Sequence, residues 1–139
     1  MGLRHRCWKC HSDTLSVAGV LVSPELTVDG EGFIDFSSCS DELVPRLSAA
    51  DLTRVGVGEL RKRWSNFAGR AYTSNGCVVC GALQGNFPLG EAVFEHRMKT
   101  GSFATLTPLA EVQMSLEYVR LVGGTLCDED EANHTEGVF

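Results

Sequence analysis

Cys7-Trp8-Lys9-Cys10 and Asn75-Gly76-Cys77-Val78-Val79-Cys80-Gly81 are the stretches on which the fold turns. Each Cys-x-x-Cys closes a tight turn, and two such turns supply the four thiolates of a tetrahedral Zn²⁺ site. The pairs are separated by 66 residues in a chain with six cysteines. The metal must therefore join two distant hairpins. Gly81 follows the second pair, where positive φ lets backbone N–H groups turn toward the sulfurs. His11 occupies the matching place after the first pair. It is a weaker ligand candidate, because four cysteines already complete the shell. A redox pair would need an exposed cysteine at a helix start, and neither Cys10 nor Cys80 leads into one. Disulfides would need an oxidising compartment. The basic run Arg4-His5-Arg6 meets a Cys-x-x-Cys where a signal peptide carries its apolar stretch, so a reducing, cytoplasmic setting is expected.

Outward from the pairs, the pattern predicts an α+β, mainly β, single domain with a discontinuous four-Cys zinc ribbon over 1–122 and an acidic tail over 123–139. Leu15 to Val22 reads as a buried strand, and Phe33 to Phe36 as a short one after an Asp29–Gly32 turn. One or two short helices are expected between Asp41 and Val55, limited by Pro45, with Asp51 placed as in a capping box. Gly56-Val57-Gly58 reads as a helix exit. Leu60 to Tyr72 reads as one or two strands. Phe87-Pro88-Leu89-Gly90 reads as a turn, and Ala92 to His96 as a short strand or helical turn. Val112, Met114, Leu116 and Tyr118 alternate with polar residues, as in a half-buried strand.

Net charge is −6, which argues against a general nucleic-acid binder. The charge is uneven. Asp128, Glu129, Asp130, Glu131 and Glu136 load the tail, and the rest holds 13 acids against 12 bases. Glu25 to Asp51 carries seven acids against Arg46. Lys9, Arg61, Lys62, Arg63 and Arg70 are the candidate contacts for a partner or for nucleic acid, with Trp8 as a stacking residue. A solvated basic face is the simpler account of them. Trp64 is expected to pack in the core.

The knuckles and their flanks resemble a group of bacterial zinc-ribbon proteins of unassigned activity. That group reads Cys-Trp-Lys/Arg-Cys-Gly at the first motif and about Asn-x-Cys-Pro-x-Cys-Gly-Ala-Leu-Gln-Gly-Asp at the second. Asn75, Cys77, Cys80, Gly81, Ala82, Leu83, Gln84 and Gly85 match. His11, Val78 and Asn86 stand where Gly, Pro and Asp are common. The resemblance covers the residues around the metal site and implies a discontinuous four-Cys ribbon of bacterial or phage origin. It implies no reaction.

No catalytic constellation emerges. His96 is a possible base but reads as a surface histidine, and Cys39 reads as a buried thiol rather than a nucleophile. Cys127 reads as a free thiol. Asn133-His134-Thr135 fits a glycosylation sequon without meaning in a reducing compartment. The expected function is a non-enzymatic module with structural Zn²⁺, binding a protein partner, with an acidic middle and tail that suit a basic one, as a small inhibitor, immunity or accessory protein does. The alternatives are a nucleic-acid accessory factor and a thiol redox protein. The longest apolar run, Val17 to Val22, is too short to span a membrane.

Overall fold

The computed structural model describes residues 1–27, 31–123 and 137–138. The chain opens with a hairpin of β1 (Gly2–Arg6) and β2 (Asp13–Val17), antiparallel from Gly2↔Val17 to Arg6↔Asp13. The first Cys-x-x-Cys is its turn. Thr14, Leu15, Ser16 and Val17 are all buried, so β2 is covered on both faces, as its unbroken run of small and apolar residues requires. At Ala18 the expected long strand splits. The Ala18 N–H donates to Met1 O and its carbonyl accepts from Phe36 N, both at 2.9 Å. The chain then continues as β3 (Gly19–Leu21), which pairs antiparallel with β4 (Phe33–Asp35). Of the turn expected before β4, Asp29 and Gly30 lie outside the described residues.

The helix α1 (Phe36–Leu43) follows β4 directly and buries Phe36, Cys39 and Leu43. A 3-10 turn at Val44–Arg46 ends it at Pro45, which has no N–H to continue an α-helix. The short α2 (Ala49–Arg54) is capped by Ser48, whose side chain accepts from Asp51 N at 3.3 Å. Beyond it, Val57 bridges Leu15, and Gly58 lies against the second knuckle's strand. A Cβ on Gly58 would meet Gly76 O at 1.9 Å, so this approach is open to glycine alone.

The second hairpin is β5 (Arg61–Ser65) with β6 (Arg70–Gly76), and β7 (Leu83–Gln84) adds to β6 after the second Cys-x-x-Cys. Next comes α3 (Asn86–Thr100), where the sequence predicted a turn and a short element. Pro88 misled the reading: it sits in the helix's first turn, where its missing N–H costs nothing. Leu89 and Val93 then bury one helix face, and Gly101 ends the helix in the left-handed conformation.

The remaining elements are β8 (Glu111–Val112), α4 (Leu116–Gly123) and β9 (Gly137–Val138), which pairs antiparallel with β8. The strand expected over Val112 to Tyr118 is thus corrected. Val112, Met114 and Leu116 are buried in alternation, but the ladder stops at Val112. Ser115 then starts a helix, accepting from Tyr118 N at 3.0 Å through its hydroxyl and from Val119 N at 3.0 Å through its carbonyl. Cys127, the five tail acids and the sequon lie outside the described residues.

The fold is α+β, with 38% helix and 29% strand among the described residues. Leu15, Val17, Val20, Ile34, Leu43, Val57, Met114 and Val119 form the centre of the core. The two hairpins carry the cysteines, α1 packs against β3, β4, β6 and α3, and α4 lies on β4. Among the described residues no helix is long and apolar enough to cross a membrane.

Candidate metal centre and the groove beside it

The two knuckles have the same backbone. In the first, Cys7 N donates to Ser12 O at 2.9 Å and His11 N to Cys7 O at 3.0 Å. In the second, Cys77 N donates to Ala82 O and Gly81 N to Cys77 O, both at 2.9 Å. The closing residue has positive φ in each: 63° at His11 and 78° at Gly81. Glycine takes that conformation freely, whereas His11 carries a cost of roughly 1–2 kcal/mol. The strict geometry of the first turn therefore holds His11 where its sequence preference alone would not.

Cys7, Cys10, Cys77 and Cys80 have their sulfurs within 4.8 Å of one another. Cys7 Sγ lies 3.6 Å from Cys80 Sγ, and Cys10 Sγ 3.6 Å from Cys77 Sγ. A tetrahedron with metal–sulfur bonds of about 2.3 Å has edges of about 3.8 Å, so the four donors fit a single metal ion. The surrounding donors suit thiolates. Lys9 N reaches Cys7 Sγ at 3.4 Å, and Val79 N reaches Cys77 Sγ at 3.3 Å. Gln84 Nε2 reaches Cys7 Sγ at 3.3 Å and also holds Ala82 O at 2.9 Å. Burial works to raise the Cys7 thiol, but hydrogen bonds from the Cys10 and Lys9 backbone and from Gln84 bring it down to about 6. Ser12 lowers Cys10. At Cys80 the Ala82 N–H acts in the lowering direction, yet desolvation and the three neighbouring sulfurs push the thiol up to about 11. Four ionised sulfurs this close need a cation between them. His11 is not part of the cluster.

Buried polar side chains join the hairpins behind the sulfurs. Asn75 accepts from Val17 N at 2.7 Å and donates to Val17 O at 3.0 Å, so its amide imitates one more strand residue beside β2. Thr14 Oγ1 accepts from Val78 N at 3.1 Å. Trp8 Nε1 donates to Leu83 O at 2.5 Å, tying the first knuckle to β7.

The basic residues do not form one patch. Arg63 is buried. Its guanidinium donates to Ser74 O and Glu59 O, each at 2.9 Å, and its burial lowers its pKa. It is a strut inside the second hairpin and unavailable to a ligand. Arg61 is ion-paired with Glu59 at 2.9 Å. Arg70 lies over the Tyr72 ring, 5.3 Å from its centre. Arg61 and Arg70 stand at opposite ends of the hairpin, about 13 Å of strand apart. Lys9 and Lys62 are exposed. Cys39 is fully buried and its thiol, desolvated, is pushed up to about 12, which removes it as a nucleophile. His96 is bonded to Thr105 Oγ1 at 2.8 Å.

Trp64 is not in the core. It is 64% exposed, with Nε1 on Asn66 Oδ1 at 3.0 Å. It faces a groove of about 1580 Å³ between the β5–β6 hairpin tip and α3, with Trp8 also in its lining. Phe67, 94% exposed, stands on the hairpin side, and Phe87, Phe94 and Met98 stand exposed along α3. Small-molecule sites run to about 1000 Å³, so this groove is sized for a polymer segment. Sequence reading missed Phe67, Phe87, Phe94 and Met98. The spacing of the last three would have revealed a helical stripe had 86–100 been read as a helix. No family model, curated protein or solved structure matches this chain.

Proposed function

We propose that the chain is a non-enzymatic, zinc-stabilised module that binds a protein partner in a reducing, cytoplasmic compartment. Four thiolates in tetrahedral reach are the donor set of structural zinc, and a shell closed by protein ligands leaves no place for an activated water. The observation that carries the reading is the groove: large apolar side chains left together on the surface mark interaction sites. Zinc serves here by holding the two hairpins together, and with them Trp8 and Trp64, which both line the groove.

A second reading, an accessory factor on single-stranded nucleic acid, draws on the same rings. Trp8, Trp64 and Phe67 are exposed and Arg70 is beside them, as in a stacking platform. Asp35, Glu91 and Glu95 line the same groove and repel phosphates, so the protein partner is favoured. The redox reading would use Cys7, whose thiol is brought down to about 6, although Cys7 is buried and Cys80 is the exposed cysteine. Selecting a displayed random-peptide library on the zinc-loaded chain tests the main reading. A consensus that competes for the groove supports it. A salt-dependent mobility shift on single-stranded DNA or RNA, with no peptide enrichment, replaces it with the second. Rapid alkylation of Cys7 and Cys77 in the purified protein would favour the third.

A further inference from the structure

Phe87, Glu91, Phe94 and Met98 follow one another along α3 at spacings of four, three and four residues. That is the seam spacing by which one helix packs against another. The opposite face of α3 is already used, since Leu89 and Val93 are buried in the core. A helix apolar on two faces has one partner inside the fold, and its second face stands exposed to solvent. Within the exposed seam, Glu91 is the one charged position, and its carboxylate has no partner among the described residues. Glu95 lies beside the seam and is paired with Lys99 at 3.0 Å, an exposed contact that is easily exchanged.

We infer that the groove seats an amphipathic helix of a partner protein, with bulky apolar anchors toward Phe87, Phe94 and Met98 and a Lys or Arg opposite Glu91 and Glu95. This rests on the protein-partner reading above and specifies the partner's chemistry. The wall offered by α3 is about 22 Å long, enough for four turns of a helix. Trp64 and Phe67 would cover its other flank, as aromatic anchors do at interface centres. Charge disfavours the competing occupants. Among the described residues, the groove's lining sets Asp35, Glu91 and Glu95 against the single cation Arg70, so a second copy of the chain would bring more acids than bases to Glu91, and phosphates would meet three carboxylates.

The test uses two labelled helical peptides of about 18 residues with the same apolar stripe, one flanked by lysines and one by glutamates. The full zinc-loaded chain is titrated with each by fluorescence anisotropy. The expected result is at least tenfold tighter binding of the lysine peptide. That preference should shrink or reverse in a Glu91→Lys/Glu95→Lys variant, and Phe94→Ala should weaken both peptides about tenfold. All three positions are exposed, so the variants should keep the parent's melting temperature. Equal affinity for both peptides, or lysine-peptide binding unchanged by these variants, overturns the inference. If the displayed library instead yields an extended or acidic consensus at the groove, the protein-partner reading survives and this inference fails. If sedimentation shows a dimer that Phe94→Lys dissociates, the occupant is a second copy. If only nucleic acid binds, both readings fail together.

Discussion

Asn75 shows how one side chain fixes the relation of two hairpins. It is fully buried, and both ends of its amide are used by Val17. Asn75→Ala should strip partners from a buried N–H and a buried C=O and cost about 2–4 kcal/mol. Denaturant titration of the metal-loaded protein measures this. A smaller loss would mean that water replaces the amide. Cys39→Ser should behave differently. Cys39 Sγ already contacts Asp35 O at 3.4 Å, one helical turn back, and a serine hydroxyl can make the same bond. The variant should bind metal normally and lose about 1 kcal/mol. Loss of metal from it would show that Cys39 takes part in the site. Asn75 preceded the second knuckle in sequence as a turn signal. Its actual work, bridging to a strand 58 residues away, was invisible there because nothing local distinguishes a turn asparagine from a buried one.

At the scale of elements, Glu31 ties the segment before β4 to the 3-10 turn at Phe103–Thr105. Its carboxylate accepts from Ser102 Oγ, from Phe103 N at 2.7 Å and from Ala104 N at 3.1 Å. Phe33 stacks on Phe103 alongside, with ring centres 4.2 Å apart. Desolvation works to raise the Glu31 carboxyl, but these hydrogen bonds and Arg97 outweigh it and hold it below its ordinary value of 4.5. A depressed carboxylate stabilises the fold above its unfolded pKa and loses that contribution as pH falls through the folded one. Glu31→Gln should therefore lower the melting temperature at neutral pH, and the gap to the parent should close as pH drops below 4.5. A gap independent of pH would show that ionisation of Glu31 is not what holds the turn. The end of the chain offers a second element-scale test. Gly137–Val138 pairs with Glu111–Val112, so truncation after residue 124 removes the partner of β8 and should lower the melting temperature. An unchanged value would show that this pairing adds no stability.

For the whole molecule, the candidate metal centre is where the two cysteine-bearing hairpins meet, and the polar links from Asn75, Thr14 and Trp8 lie around it, so metal and fold should be lost together. Chelation, or Cys80→Ser, should unfold or aggregate the protein, because structural metal binding is coupled to folding. Elemental analysis of protein purified without added metal should find one zinc per chain. A chelated protein with an unchanged melting curve would separate the fold from the metal.

Legibility divided along the same line. The paired cysteines, Gly81, the buried run from Leu15 to Val22 and the Ser48–Asp51 cap were readable because each is a local rule: ligand spacing, a conformation that suits glycine, unbroken hydrophobicity, a cap. The helix at Asn86–Thr100 was misread because Pro88 and Gly90 are common turn formers, and nothing local shows that Pro88 falls in a first helical turn, where its missing N–H costs nothing. The Val112–Tyr118 alternation marked burial truly but not strand, since pairing partners lie elsewhere in the chain. Arg63 and Trp64 exchanged expected places. The charge went inside because four backbone and hydroxyl oxygens converge on it, and the indole stayed outside on the groove. The sequence by itself determined that two knuckles place four cysteines where they could hold one metal ion. Tertiary structure alone decided that a second apolar face of α3 stands unpartnered beside that centre, because exposure is a property of what packs on a residue and not of the residue.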